Sequence, residues 1–193
     1  MMKPWAVILV WGCILVAVLM IGAMIEVTGV SGTCMFVLMP AFAALAATYP
    51  IVRVGRFGTG ALTYVPYAVL GFVPLLLFDW LQSHALRGLW AVFVWSATGP
   101  AIGLCADVAY RLAARFGGRA RAMITGAAVQ VATFAVMLLG FAFLYVDTSA
   151  ADSHLRLFDT WYWFTLPWMA ANGAFGGFAA HALLAREAGA RGI

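Results

Sequence analysis

At 193 residues, 65% hydrophobic and only 9% charged, the chain carries far fewer charges than the roughly 25% usual in soluble domains. Together with a mean hydropathy of +1.00, this excludes an ordinary water-soluble globule. The net charge of +4 does not indicate a nucleic-acid partner, because the basic residues sit at the ends of apolar segments and form no solvated patch.

Composition therefore predicts an all-α membrane protein, a single bundle over residues 1–193 with the lipid bilayer as its solvent. The first apolar segment runs from Pro4 to Ile25 behind Lys3. It is longer than the roughly 7–15 residues of a signal-peptide core, so it reads as a retained transmembrane helix. Glu26, Gly29, Ser31 and Gly32 make a polar turn. A second segment covers Cys34 to Tyr49, with Pro40 inside it, Pro50 closing it, and Arg53 and Arg56 following. A third runs from Thr59 to Phe78 with Pro66 and Pro74, and the polar, aromatic loop DWLQSHALRG comes next. The fourth spans Leu89 to Tyr110 and the fifth Ala122 to Val146. A long loop, Asp147–Asp159, leads to the sixth, Trp161 to Ala185. Each is close to the ~20 residues that cross a hydrocarbon core, which predicts a six transmembrane helix bundle.

Loop charges fix its orientation. Lys3, Arg53, Arg56, Arg111, Arg115, Arg119, Arg121, Arg186 and Arg191 fall on one side, nine of the eleven basic residues. The other side holds Arg87 and Arg156 with Glu26, Asp79, Asp147, Asp152 and Asp159. The positive-inside bias places both the N- and C-termini in the cytoplasm.

The aromatic residues are unevenly placed. Trp80, Trp90, Trp161 and Trp163 lie at the expected outer boundary, and Trp95 and Trp168 lie one or two turns deeper. An interfacial belt explains indoles at a headgroup layer, but belts form at both faces. In the sixth segment Trp161, Thr165, Trp168 and Asn172 share one helix face. Aromatic walls with a few placed polar groups hold small planar ligands, and an amide inside a membrane is costly without a partner. Asp79 and His84 in one outer loop, with Asp159 before the sixth segment, are candidates to add hydrogen bonds or a counter-charge. The expected substrate site is therefore Asp79, His84, Trp90, Trp95, Asp159, Trp161, Trp163, Trp168 and Asn172. Nothing in it suggests covalent catalysis.

Asp107 and Arg111 stand at i and i+4, acid before base, and read as an intrahelical pair near a helix C-terminus. Cys13, Cys34 and Cys105 lie far apart inside apolar segments without CxxC spacing and read as buried small residues. His181 lies on the opposite side from His84 and His154, so a haem is not expected, and no other cofactor is implied. Small residues crowd the second and sixth segments. Ala43 and Ala47, and Gly173-x-x-x-Gly177, allow close helix approach, either within the bundle or against a partner membrane subunit.

Between Phe36 and Arg121 the chain resembles a known family. An alanine-rich helix ends in an arginine turn (AALAATYPIVRVGR), the next opens with GTGAL, and Gly103-Leu104-Cys105-Ala106-Asp107 precedes an aromatic and basic helix end. The glycine-rich NGAFGGFAAHALLA is similar in style. These features resemble the substrate-binding S components of energy-coupling factor (ECF) transporters, and most closely the hydroxymethylpyrimidine/thiamine branch. That branch has Glu where Asp107 stands. The chain also departs from it at Ile102, where a glutamine is expected, and in Cys13 and Ala17, which stand for an Ala-x-x-x-Ala pair. The resemblance implies a non-enzymatic subunit of the bacterial cytoplasmic membrane that captures a small, aromatic vitamin or precursor from outside. It also implies a membrane scaffold subunit, contacted through Ala43, Ala47, Gly173 and Gly177, and two cytoplasmic ATPase subunits. The alternatives are an accessory or scaffold subunit whose tryptophans and glycines only pack, and, third, a membrane redox anchor using histidines.

Overall fold

The computed structural model describes residues 2–27, 32–70, 89–144 and 149–190, with side chains over 2–21, 38–70, 98–136 and 164–190. All regular structure among them is helical: α1 (Pro4–Val27), α2 (Gly32–Val54), α3 (Thr59–Thr63), α4 (Val65–Leu70), α5 (Leu89–Leu112), α6 (Gly118–Leu144) and α7 (Ser149–Gly189). A short 3-10 turn, Ala113–Arg115, bends the chain from α5 into α6.

Several boundaries differ from those read in the sequence. Helix α2 does not close at Pro50 but passes through it to Val54. It stops at Gly55, whose φ of 68° gives the left-handed cap that directs its amide to the Ile51 carbonyl at 2.9 Å. The third apolar segment is broken after Thr63. Pro66 occupies the first turn of α4, where its missing N–H breaks no established ladder. The loop expected at Asp147–Asp159 is helical from Ser149, making α7 a single helix of 41 residues. At 1.5 Å per residue it is about 60 Å long, twice the roughly 30 Å hydrocarbon thickness of a bilayer.

The helices pack with small residues inside. Helix α7 lies against α6 and α2, α2 also against α1, and α5 against α6 and α3. Ala43, Ala44, Ala46 and Ala47 of α2 are buried, as are Ala106, Ala122 and Ala180 on the facing helices. Gly126 of α6 meets Gly173 of α7, and Gly177 meets Ala122, so closely that a Cβ on any of these glycines would collide with backbone. Backbones in such contact bring helix axes near enough for extensive dispersion contact. Ala43, Ala47, Gly173 and Gly177, expected as a possible face for a partner subunit, are thus enclosed in the chain's own bundle.

Polar groups share this interior. Thr48, Thr59, Thr63, Asp107, Thr125 and Gln130 are buried, whereas Leu9, Ile14, Phe42, Val69, Leu104 and Phe175 are exposed. Cys13 and Cys105 also lie on the outside, contrary to the expectation that they are buried, because they fall on the apolar outer faces of α1 and α5. One helix among the described residues is both long and apolar enough to cross a membrane: α1, over Pro4–Ile21, with mean hydropathy 2.5.

The basic ends of the elements converge on one end of the bundle. The start of α1, the end of α2, the α5–α6 bend and the end of α7 meet there. Val7, Tyr49 and Ala180 pack together, and Gly118 approaches His181.

Candidate functional site

Two polar centres and one aromatic face stand out. The first is Asp107. It lies on the inward face of α5, 2% exposed, opposite the turn that starts α3. Its Oδ1 and Oδ2 accept the Gly60 amide at 3.1 and 3.0 Å, and the amides of Gly58 and Ala61 are directed at the same carboxylate. The first amides of a helix have no partner within it. Gly58, with φ of 87°, caps α3 without a side-chain hydrogen bond of its own, so Asp107 supplies the cap from another helix. The approach depends on Gly60 and Gly103, whose backbones touch where a Cβ on either would collide. Arg111 was expected to be the partner of Asp107, but its guanidinium lies over the Phe57 ring, 5.2 Å from the centroid. Its influence on the carboxylate is the least of the local effects.

The second centre joins the C-terminal ends of α2 and α7. Tyr49 donates a hydrogen bond to Glu187 Oε1, and Arg53 donates to Tyr49 Oη at 2.5 Å. Arg53 Nη1 also pairs with Glu187 Oε2 at 2.9 Å. Trp11 of α1 stacks on the Tyr49 ring, centroids 4.2 Å apart, so the cluster ties three helices together.

The aromatic face on α7 is present in part. Phe164 and Trp168 stack with centroids 6.1 Å apart and 13° between planes. Asn172 lies half-buried one turn further along and donates from Nδ2 to the Trp168 carbonyl at 3.0 Å. The amide thereby meets part of its hydrogen-bonding capacity on its own helix. Trp90, Trp95, Asp159, Trp161 and Trp163 fall on helical backbone in α5 and α7, but their side chains lie outside those described. Asp79 and His84 lie outside the described residues.

Comparison with protein-family models, curated proteins and solved structures finds no match.

Three contacts between helices escape a reading by sequence spacing. Tyr49 and Arg53 are one turn apart, and Glu187 is an acid among the basic residues of the last helix end; that isolated acid was a signal for a pair. Gln130 is a lone amide in the middle of the fifth apolar segment. It is buried and donates to the Pro40 carbonyl at 2.6 Å, bridging α6 to α2 beside a proline. Asp107 was conspicuous, but its partner, Gly60, is visible only in the fold.

Proposed function

We propose that the chain is a six-span protein of the bacterial cytoplasmic membrane, with both termini cytoplasmic, acting as the substrate-capture subunit of an ECF-type importer. It binds a small aromatic ligand near the outer face through Trp90, Trp95, Trp161, Trp163, Trp168 and Asn172, with Asp79, His84 and Asp159 adding hydrogen bonds or a counter-charge. It performs no covalent chemistry, and a membrane scaffold with two cytoplasmic ATPases drives release.

The multi-span reading is supported by the distribution of side chains. Threonines, a glutamine and an aspartate are buried beside Leu15, Ile51 and Val129, while large apolar side chains such as Leu9, Phe42, Val69, Leu104 and Phe175 cover the outside, more apolar surface than water favours. One observation carries the family reading. The two stretches that resemble the S components, Gly58–Leu62 and Gly103–Asp107, lie far apart in sequence yet are each other's partners in space. Glycine meets glycine, and the acid closing one motif caps the helix opening the other. A pair of motifs with a joint physical role is a better basis for resemblance than either short apolar run alone.

The test is to purify the protein from membranes in neutral detergent, extract it with organic solvent and identify bound small molecules by mass spectrometry. An aromatic compound near one per chain is expected. Reporter fusions after Arg191 and at Gly117 should be cytoplasmic, and one near Ser153 external; an external Gly117 fusion refutes the topology. The accessory-subunit reading is favoured by one detail, the Asn172 amide bonded to its own helix. Absence of any co-purifying ligand, with α7 variants altering only complex assembly, would decide for it.

A further inference from the structure

The α5–α6 bend carries four arginines, none shown in a close ion pair with an acid among the described residues, although Asp107 attracts Arg111 weakly along α5. Of the acids at this end, Asp107 is engaged by the Gly60 amide and Glu187 by Tyr49 and Arg53. Each arginine instead rests on an aromatic ring: Arg111 on Phe57, Arg115 on Phe116, Arg119 on Phe178 and Arg121 on Tyr110. Arg121 is partly withdrawn, donating from Nε to the Tyr110 carbonyl at 2.7 Å. Arg111, Arg115 and Arg119 are exposed. A guanidinium placed over a ring is held there by the cation–π attraction while N–H groups without a protein acceptor stay available for a bidentate anion.

The surroundings specify which anion. On α5, Leu104, Val108 and Leu112 follow one another at i+4 on the outer face, all exposed, with Leu112 reaching 76%. The same face continues into Arg111 and Arg115. Phe57 and Phe116, 54% and 44% exposed, flank them. An apolar stripe about 12 Å long at 1.5 Å per residue, most of a hydrocarbon leaflet of about 15 Å, ends in fixed cations. This arrangement fits a molecule with a hydrocarbon tail and a phosphate head, whereas an acidic protein or a nucleic acid would leave the stripe in water.

We propose that the α5–α6 bend is a binding surface for an anionic phospholipid, with Arg111, Arg115 and Arg119 on the phosphate and Leu104, Val108 and Leu112 along the acyl chain. The inference rests on the multi-span reading above. The lipid fixes the bend, and through it the Asp107 contact, at the cytoplasmic surface.

The full chain is reconstituted in nanodiscs of equimolar phosphatidylcholine and phosphatidylglycerol and transferred to neutral detergent. The lipids retained are then counted by native mass spectrometry. Wild type is expected to prefer phosphatidylglycerol by about a hundredfold, from roughly fivefold for each of three arginines beside an anionic surface. R111Q/R115Q/R119Q should lose that preference, and R186Q, which changes an exposed arginine elsewhere, should keep it. Equal retention of both lipids by wild type, or an unchanged preference in the triple variant, overturns the proposal. So does displacement of the lipid by inorganic phosphate alone, which would make the surface a phosphate site. If the triple variant does not fold, R115Q alone should lower the preference about fivefold, and no change there overturns the proposal equally. Carbonate washing of the membranes is scored separately. A chain that washes off refutes the membrane reading, while one that stays but shows no lipid preference refutes only this inference.

Discussion

Replacing Asp107 by Asn tests the contact on which the arrangement of α3 and α5 depends. The carboxylate is buried and accepts the Gly60 amide on both oxygens. Asn keeps the shape but offers one acceptor, and it turns an NH₂ group toward backbone N–H groups that have no other acceptor in reach of their helix. A hydrogen bond to a charged acceptor contributes about 1.5–3 kcal/mol, and a lost cap about 0.5–2 kcal/mol. The two describe the same interaction from different sides, so a loss of about 2–3 kcal/mol is expected. For a chain of this size that lowers the melting temperature by roughly 5–10 °C, read by tryptophan fluorescence in neutral detergent free of anionic lipid. Arg111→Gln is the control. If Arg111 were the main partner, as the i, i+4 spacing suggests, its loss would match that of Asp107→Asn, and the double variant would be no worse than either single one. With Arg111 on the Phe57 ring, its loss should cost less than about 1 kcal/mol. The double-variant cycle should then show little coupling. A coupling energy above about 2 kcal/mol, the size expected of a dominant buried pair, would refute the assignment of Asp107 to the α3 amides.

Three further expectations follow from the same geometry. Gly126→Ala should destabilise by about 1–3 kcal/mol or more by forcing α6 from α7. Gly55→Ala should destabilise through its left-handed φ although space is free around it, and Gly117→Ala, with neither restriction, should be neutral or slightly stabilising. Thermal melts of the three separate crowding from conformation. Glu187→Gln should cost under about 1 kcal/mol because that side chain is 38% exposed, whereas Trp11→Ala, which removes the ring stacked on Tyr49, should cost about 3 kcal/mol; equal effects would show that the ion pair carries the cluster. Trp168→Ala should weaken binding of the co-purified ligand by roughly thirtyfold, as truncating an aromatic anchor does. Unchanged affinity with a lower melting temperature would place the ligand elsewhere.

What could be read in the sequence follows from which force wrote it there. Runs of apolar residues marked α1, α2, α5, α6 and α7, so the existence and order of these helices were legible. The same record misleads about where helices end, because hydropathy marks the edge of the apolar zone and backbone hydrogen bonding marks the end of the helix. Ser149–Asp159 is polar yet contains alanine, leucine and arginine, all good helix formers, and the helix continues through it outside the apolar zone. Pro50 looked like a stop, yet proline removes only one ladder bond, and packing around the buried turn outweighs that loss. Partners were legible only where they were local. Spacing along one helix offers Arg111 to Asp107, since i and i+4 always share a face. The glycines at 60 and 103 carried the better clue: residues without side chains inside an apolar segment leave room for another backbone. Once two helices touch at backbone distance, the free amides at the start of one and a short acid on the other are forced together, and the acid must be short. That requirement accounts for aspartate at position 107 in place of the longer glutamate. The longer side chain would need a wider gap between the two helices, and the glycine-on-glycine contact here leaves none.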